Sequence, residues 1–449
     1  MNTVLLPYLA LADWLLVMRF VSILVSVSLV LFGQTGAAPD VRAVHGVVVD
    51  ATTHQPVANA WVTLDGNVNK TGANGEFQVK TKASFVDLRA PGYGRLHVPV
   101  VGAEMRIPLA PLKVRALYMS FWAVSSQTMR SQIYETAAKA HLNGVVIDVK
   151  GDMGLVAFHS SIPMVAKTGA NRVITIPDAP ALIADLHQRG LYAIARIVTF
   201  KDTPLALARP DLAVRNAGGG LFADNERLHW TDPFSQIVWD YNIRIAVEAA
   251  KAGFDEVEFD YVRFPDRQGL RFSRETNAQN RVEAITGFLA QAQKALNPYN
   301  VFVSADNFGY VAWNEGDTGI GQVFADVGKV VDYISPMLYP SGFKFGIPGV
   351  RNPMSDPYRI IYASLEKAKK RTGFSGIVFR PWLQAFPDYA FDHRAFGKTE
   401  LRQQIKAAED AGSEGWLLWE PRNRYPTQAL SELSRELWFK EPVQQAARR

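Results

Sequence analysis

Carboxylates recur at alternate positions in the run Gly253-Phe254-Asp255-Glu256-Val257-Glu258-Phe259-Asp260-Tyr261-Val262-Arg263-Phe264-Pro265. In an extended strand, alternate side chains share a face, which groups Glu258, Asp260 and Val262. A charge at the end of a central apolar strand has no packing reason to be there. Two carboxyls one layer apart push one pKa upward, so that one holds a proton while the other stays charged. Cleavage of a glycosidic bond needs that division: one acid protonates the leaving oxygen, and one carboxylate attacks or activates water. Asp260 is the carboxylate chiefly expected to serve that chemistry. Asp306, in Ser304-Ala305-Asp306-Asn307, is the expected acid, with Glu258 and Glu420 as alternatives. The rival reading of Glu258 is a structural pair with Arg196 or Arg263.

Groups suited to holding a sugar stand near other apolar runs. Sugar rings present apolar C–H faces, so aromatic platforms mixed with polar groups fit them. The candidates are Trp122, Trp230, Tyr339, Trp382 and Trp419, with Asp148, Arg196, Arg263, Asn307, Arg380, Gln384 and Glu420 as polar partners. Taken singly, each aromatic is as readily a packing residue. Other chemistries are poorly served. The chain has no cysteine, which excludes disulfides and thiol nucleophiles. No His-x-x-x-His pair, phosphate-cradling glycine loop or Gly-x-Ser-x-Gly elbow appears, so no metal or cofactor is expected. Two competing readings remain: a non-catalytic saccharide-binding barrel, and a divalent-cation enzyme using Asp148, Asp260 and Asp306 as oxygen ligands.

The elements that must position these residues follow a βα rhythm. Strands are expected at 116–120, 144–150, 192–200, 256–264, 301–307, 333–339, 376–384 and 415–420. Helices are expected at 129–141, 179–189, 236–252, 280–297, 357–372 and 400–411, with a weak one at 321–329. Eight strands alternating with helices over residues 115–438 predict an α/β (β/α)₈ TIM barrel, whose catalytic groups stand at the C-terminal strand ends. The segment 203–233 is expected to be a loop over the mouth. Residues 43–111 instead read as short strands between turns, a small all-β sandwich. Residues 439–449 read as a disordered tail.

The apolar run 14–32, followed by Gly36-Ala37-Ala38, fits a signal peptide over 1–38, read either as starting at Met18 or with residues 1–17 as an unusually long n-region, or else an uncleaved membrane anchor. Both readings put the rest of the chain outside the cytoplasm, periplasmic or secreted. The formal charge of +5, from 48 basic and 43 acidic residues, is spread along the chain rather than gathered on one element. Nucleic acid is therefore not an expected partner; a poly- or oligosaccharide is.

The run 254–265 resembles the signature of a bacterial family of glycoside-hydrolase-like barrels, long classed as a domain of unknown function. Other stretches carry the same resemblance: Asn143-Gly144-Val145-Val146-Ile147-Asp148-Val149-Lys150, Trp230-Thr231-Asp232-Pro233, Ser335-Pro336-Met337-Leu338-Tyr339-Pro340, Arg380-Pro381-Trp382-Leu383-Gln384 and Gly415-Trp416-Leu417-Leu418-Trp419. The family implies glycosidase chemistry mainly through its relatives. A more distant similarity is to chitinase-type barrels, in which the final acid of the strand-four signature falls at Val262; its absence argues against their substrate-assisted mechanism. In barrels of the α-amylase and α-galactosidase type a strand-four aspartate is the nucleophile, a role that suits Asp260. Separately, His45-Gly46-Val47-Val48-Val49-Asp50, Pro56-Val57-Ala58-Asn59-Ala60, Thr71-Gly72-Ala73-Asn74-Gly75-Glu76-Phe77 and Ala90-Pro91-Gly92-Tyr93 resemble the carboxypeptidase regulatory-like, transthyretin-type β-sandwich. That resemblance implies a spacer or accessory module.

Overall fold

Short alternating stretches separated by turn residues fold first along the chain into seven strands: β1 (Arg42–Asp50), β2 (Trp61–Leu64), β3 (Asn67–Lys70), β4 (Glu76–Thr81), β5 (Phe85–Arg89), β6 (Leu96–Pro99) and β7 (Glu104–Leu109). The computed structural model describes residues 41–439. The signal or anchor expected at 1–38 and residues 440–449 of the expected tail lie outside them. Among the described residues, no helix is long and apolar enough to cross a membrane. The sandwich packs a β4-β1-β7 sheet on a β3-β2-β5-β6 sheet. Asp65 and Gly66, both at positive φ, make the two-residue turn between β2 and β3 that the strand twist favours. Val44, Val48, Val62, Val86, Leu88 and Ile107 fill the space between the sheets. Strand β3 escapes sequence reading because its Asn-Val-Asn-Lys side chains are almost all on the wet face of an edge.

Eight parallel strands then close in chain order: β8 (Val114–Met119), β9 (Gly144–Lys150), β10 (Tyr192–Val198), β11 (Glu256–Asp260), β12 (Phe302–Phe308), β13 (Tyr333–Met337), β14 (Trp382–Gln384) and β15 (Gly415–Trp419). The barrel has two separate apolar cores, as a closed sheet buried on both faces must. Val146, Ile194, Phe302, Tyr333, Trp382 and Leu417 fill the inside, while their neighbours Val145, Ala193, Val303, Ile334, Leu383 and Leu418 pack outward against helices. Two expected strands are shortened. The one expected at 256–264 stops at Asp260, because Tyr261 turns to φ 47°. The one expected at 376–384 keeps only Trp382–Gln384, since Gly376–Val378 winds into a 3₁₀ turn. The weak helix at 321–329 is reduced to Phe324–Val327. A further helix, Thr427–Leu437, follows β15, and beyond it the Trp438 indole donates to the Ala140 carbonyl at 3.1 Å.

The sandwich is seated on the N-terminal end of the barrel. Arg89, fully buried, donates to Asn297 at 2.5 Å and has its guanidinium 5.2 Å from the Trp61 ring and 5.9 Å from Phe302. Trp61 donates to Asp332 at 2.9 Å, and the Gly92 amide to the Tyr333 hydroxyl at 3.0 Å. Arg95 pairs with Asp255 and donates to the carbonyls of Phe254 and Asn300 at 3.2 and 3.3 Å. A Cβ at Gly92, whose φ is 87°, would stand 2.2 Å from Ile377 Cδ1, so glycine alone fits that approach. Arg89→Ala would strand Asp332 without its cation and is expected to destabilise the chain by about 3 kcal/mol. A urea midpoint unchanged from wild type would show that the junction carries no stability.

Candidate active site

Alternation stacks the barrel interior in layers. The deepest holds Tyr192, Glu256 and Arg380: the Arg380 guanidinium pairs with Glu256 at 2.6 Å and lies 3.9 Å from the Tyr333 ring centre. Glu258, Ser304, Ser335 and Trp382 form the next layer. Tyr118, Asp148, Arg196, Asp260, Asp306 and Trp419 stand at the C-terminal ends of their strands.

One guanidinium organises three acids at this rim. Arg196, 1% exposed, donates to Asp148 at 2.6 Å, to Asp152 at 3.0 Å and to Asp260 from both Nε, at 3.0 Å, and its terminal nitrogen. Asp148 also accepts from the Tyr118 hydroxyl at 2.6 Å and the Phe121 amide at 3.2 Å. The second Asp260 oxygen accepts the Tyr261 amide at 2.5 Å. Both oxygens of Asp260 are thereby aimed before any substrate arrives.

Asp306 is held differently. The Trp382 indole donates to it at 2.8 Å, and Glu258 lies within hydrogen-bond reach beneath it. Burial raises the Asp306 pKa well above the carboxylate range, and the charges of Glu258 and Asp260 add to the effect. Burial and the nearby Glu256 push Glu258 up to about 8. Two carboxyls in contact within a dry barrel share a proton rather than ionise together.

Asp260 and Asp306 open into a cavity of about 260 Å³. Arg196, Arg263, Tyr339, Trp382 and Trp419 also line it. Arg263 has its guanidinium 5.2 Å from the rings of both Trp230 and Tyr261. Trp419 stacks on Tyr118 at 3.9 Å, with the Arg196 guanidinium 4.8 Å from its ring.

Other expected site residues are elsewhere. Glu258 is one layer too deep to line the cavity, and Arg196 pairs with Asp260 rather than with it. Arg380 is at the opposite end of the barrel, bound to Glu256, because it lies at the start of its strand. Asn307 follows Asp306 on β12 and so faces outward, fully buried with neither amide atom bonded. Gln384 does not reach the cavity; it holds the loop after β13 through Ser341, at 3.0 and 2.7 Å. Glu420 accepts the Arg424 amide at 2.7 Å and shapes its own turn. Trp230 is buried under Tyr261 with its indole on Asp224 at 3.0 Å, so it supports the wall without forming it. The segment 203–233 contains a helix, Thr203–Ala208, and a 3₁₀ turn, Pro210–Leu212. Asp148 and the exposed Trp122 border a neighbouring cavity.

Val262 packs in the outer core, not beside Asp260, because the turn at Tyr261 breaks the alternation. The missing acid at that position therefore leaves no gap at the mouth. Among the described residues no cluster of His, Asp and Glu has the arrangement of a metal site. The physical reason is plain for Asp148 and Asp260: the Arg196 guanidinium stands between them.

Sequence reading missed Asp152, Phe308, Tyr310, Met337, Phe343 and Tyr389, which also line the cavity. Asp152 was findable, since it lies just past the C-terminal end of β9, on the loop side. The aromatics come from loops whose paths no periodicity reveals.

A family model described as "Putative glycosyl hydrolase domain" matches residues 116–425. Among solved structures, a hypothetical protein from Ruminiclostridium thermocellum is 35% identical, covering 42% of this chain and 96% of its own, with a TM-score of 0.38. The PgaB (BpsB) glycoside hydrolase domain from Bordetella bronchiseptica is 14% identical over 72% of this chain and 99% of its own, with a TM-score of 0.51. A beta-galactosidase from Marinomonas ef1 is 10% identical over 72% of this chain and 59% of its own, at 0.50. The last two are similar in fold. No curated protein matches.

Proposed function

The chain belongs to the glycosyl hydrolase domain family matched over residues 116–425, and on that premise we propose that it cleaves a poly- or oligosaccharide with Asp260 and Asp306. The observation that carries this reading is the pairing of unlike carboxyls on one cavity. Asp260 is oriented by a cation and an amide, whereas Asp306 holds a proton in a dry setting. Asp306 gives that proton to the leaving oxygen as the C–O bond breaks. Asp260, as the carboxylate, attacks the anomeric carbon or takes a proton from attacking water, and in either role it faces the positive charge that develops on the ring. Glu258, touching Asp306 from below, keeps the acid protonated. Trp382 fixes its direction.

The test is release of reducing ends from a panel of linear polysaccharides. Because the acid must be protonated, and burial with the charges of Glu258 and Asp260 raises its pKa well above the carboxylate range, kcat/KM is expected to hold far above that range and to fall only on the alkaline side. Asp306→Asn should lower kcat by about 10²- to 10⁴-fold, abolish that alkaline fall, and recover on an aryl glycoside whose leaving group needs no proton. Wild-type activity on Asp306→Asn would remove the acid from its role. Binding of a polysaccharide by the wild type without turnover would replace the hydrolase with a saccharide-binding barrel.

The same raised pKa values link to stability. The folded pair keeps a proton that the unfolded chain releases above its ordinary carboxylate range. Its contribution is full at acid pH and is lost as pH rises through about 8. Export is supported by the apolar run 14–32 and the small residues Gly36 and Ala38; the mass of the mature chain distinguishes cleavage from anchoring.

A further inference from the structure

Six large aromatic side chains are exposed among the described residues: Phe85, Trp122, Tyr299, Phe308, Phe345 and Tyr389. Two are far from the mouth, Phe85 on the sandwich and Tyr299 in the turn before β12. Phe85 stacks on His97 at 4.6 Å, and the Lys251 ammonium stands 5.8 Å from the Tyr299 ring. The other four are on loops around the barrel mouth. Leaving large apolar rings in water at one place marks a surface built for a ligand.

These four lie on two sides of the carboxylates. Phe308 ends β12, Phe345 follows β13 and Tyr389 follows β14; Phe308 and Tyr389 line the cavity that holds Asp260 and Asp306. Trp122 lies opposite, on the loop after β8, 54% exposed and touching only the edge of Phe121 among aromatic rings. It borders a second cavity, of about 230 Å³, formed by the loops after β8, β9 and β15. The two cavities share Asp152 and Trp419 as walls, so they adjoin across the mouth. Met153, 45% exposed, extends the apolar floor on the Trp122 side. A pocket that trims chain ends would be closed on one side of its acids; here a second hollow lies beyond Asp152 and Trp419, on the side away from Phe308 and Tyr389.

We infer that the mouth is an open cleft for a linear polysaccharide, which is cut internally, with Trp122 as the platform for sugar units on one side of the scissile bond and Tyr389 with Phe308 on the other. The inference rests on the hydrolase reading for the cutting, but the cleft itself is measurable without it. Stacking of a sugar's C–H face on an indole requires no charge and no particular hydroxyl pattern, so the platforms select length and linearity more than sugar identity.

The test uses the full chain carrying Asp260→Asn and ladders from disaccharide to octasaccharide of cello-, xylo-, chito- and chitosan-oligomers and of galacturonate. For the ladder that binds, affinity should rise stepwise with length, and Trp122→Ala in the same background should reduce the octasaccharide-to-disaccharide affinity ratio about tenfold. Equal affinity from the disaccharide upward, an unchanged ratio in Trp122→Ala, or no binding by any ladder overturns the cleft. The active chain, given an end-labelled octasaccharide of the binding ladder, should release internal fragments first; stepwise loss of single units from one end overturns internal cutting. Length-dependent binding with no cleavage by the active chain leaves the cleft standing and removes the hydrolase.

Discussion

Asp260→Asn should eliminate hydrolysis while leaving the fold intact. The amide has the volume of the carboxyl, and its one oxygen can still accept from Arg196, while its NH2 takes the place of the oxygen that accepts the Tyr261 amide, so one hydrogen bond is given up. Arg196 keeps Asp148 and Asp152 as counter-charges, so no buried cation is abandoned. What disappears is the negative oxygen that must attack, or draw a proton from water, while the sugar ring becomes cationic. Loss of a group with that role reduces kcat on the order of 10⁴-fold or more. Reducing-end release and a thermal melt together check the result. A tenth of wild-type activity in a folded variant would exclude Asp260 from bond cleavage.

Arg196→Met should do the opposite, damaging the fold as well as the reaction. The methionine fills much of the same volume but leaves Asp148, Asp152 and Asp260 facing one another without the cation that joins them. Asp148 is 2% exposed and Asp260 6%, so water cannot take over. Breaking a buried pair by removing one partner typically costs about 3 to 5 kcal/mol. The deficit should shrink on acidification, because the deserted carboxylates escape their repulsion by taking up protons. Arg196→Lys should fall between the two, since a single ammonium cannot reach three carboxyls as the planar fork does. Urea unfolding at neutral and acid pH reads all three chains. A deficit under about 1 kcal/mol, or one indifferent to pH, would mean that the three acids do not depend on Arg196.

The barrel and its strand ends were legible because parallel strands buried on both faces are short apolar runs, and the residues that interrupt such runs at their ends stand out. Asp260 and Asp306 stood out by that rule, whereas Arg196 entered as a partner for Glu258 and pairs instead with Asp148, Asp152 and Asp260. The rule failed where the backbone left its regular path. Tyr261 has an ordinary side chain, and nothing in its type announces a positive φ, yet that one dihedral ends β11 and turns Val262 outward. Asn307 and Arg380 were misplaced for a simpler reason: a strand has two faces and two ends, and a polar residue near an apolar run does not say which it occupies. The companion of Arg380, Glu256, was in plain view in the same run as Asp260, two layers below the chemistry. Loop aromatics such as Tyr310 and Tyr389 lay beyond reach, since they arrive at the mouth through segments with no repeat.

The place where the sandwich sits has a consequence for access. Arg89, Gly92 and Arg95 fasten it to the strand starts, beneath the floor on which Glu256 and Arg380 meet. A module bolted there cannot swing over the opening, and it does not shade the approach above. On the hydrolase reading, a long saccharide therefore approaches the mouth without meeting the sandwich.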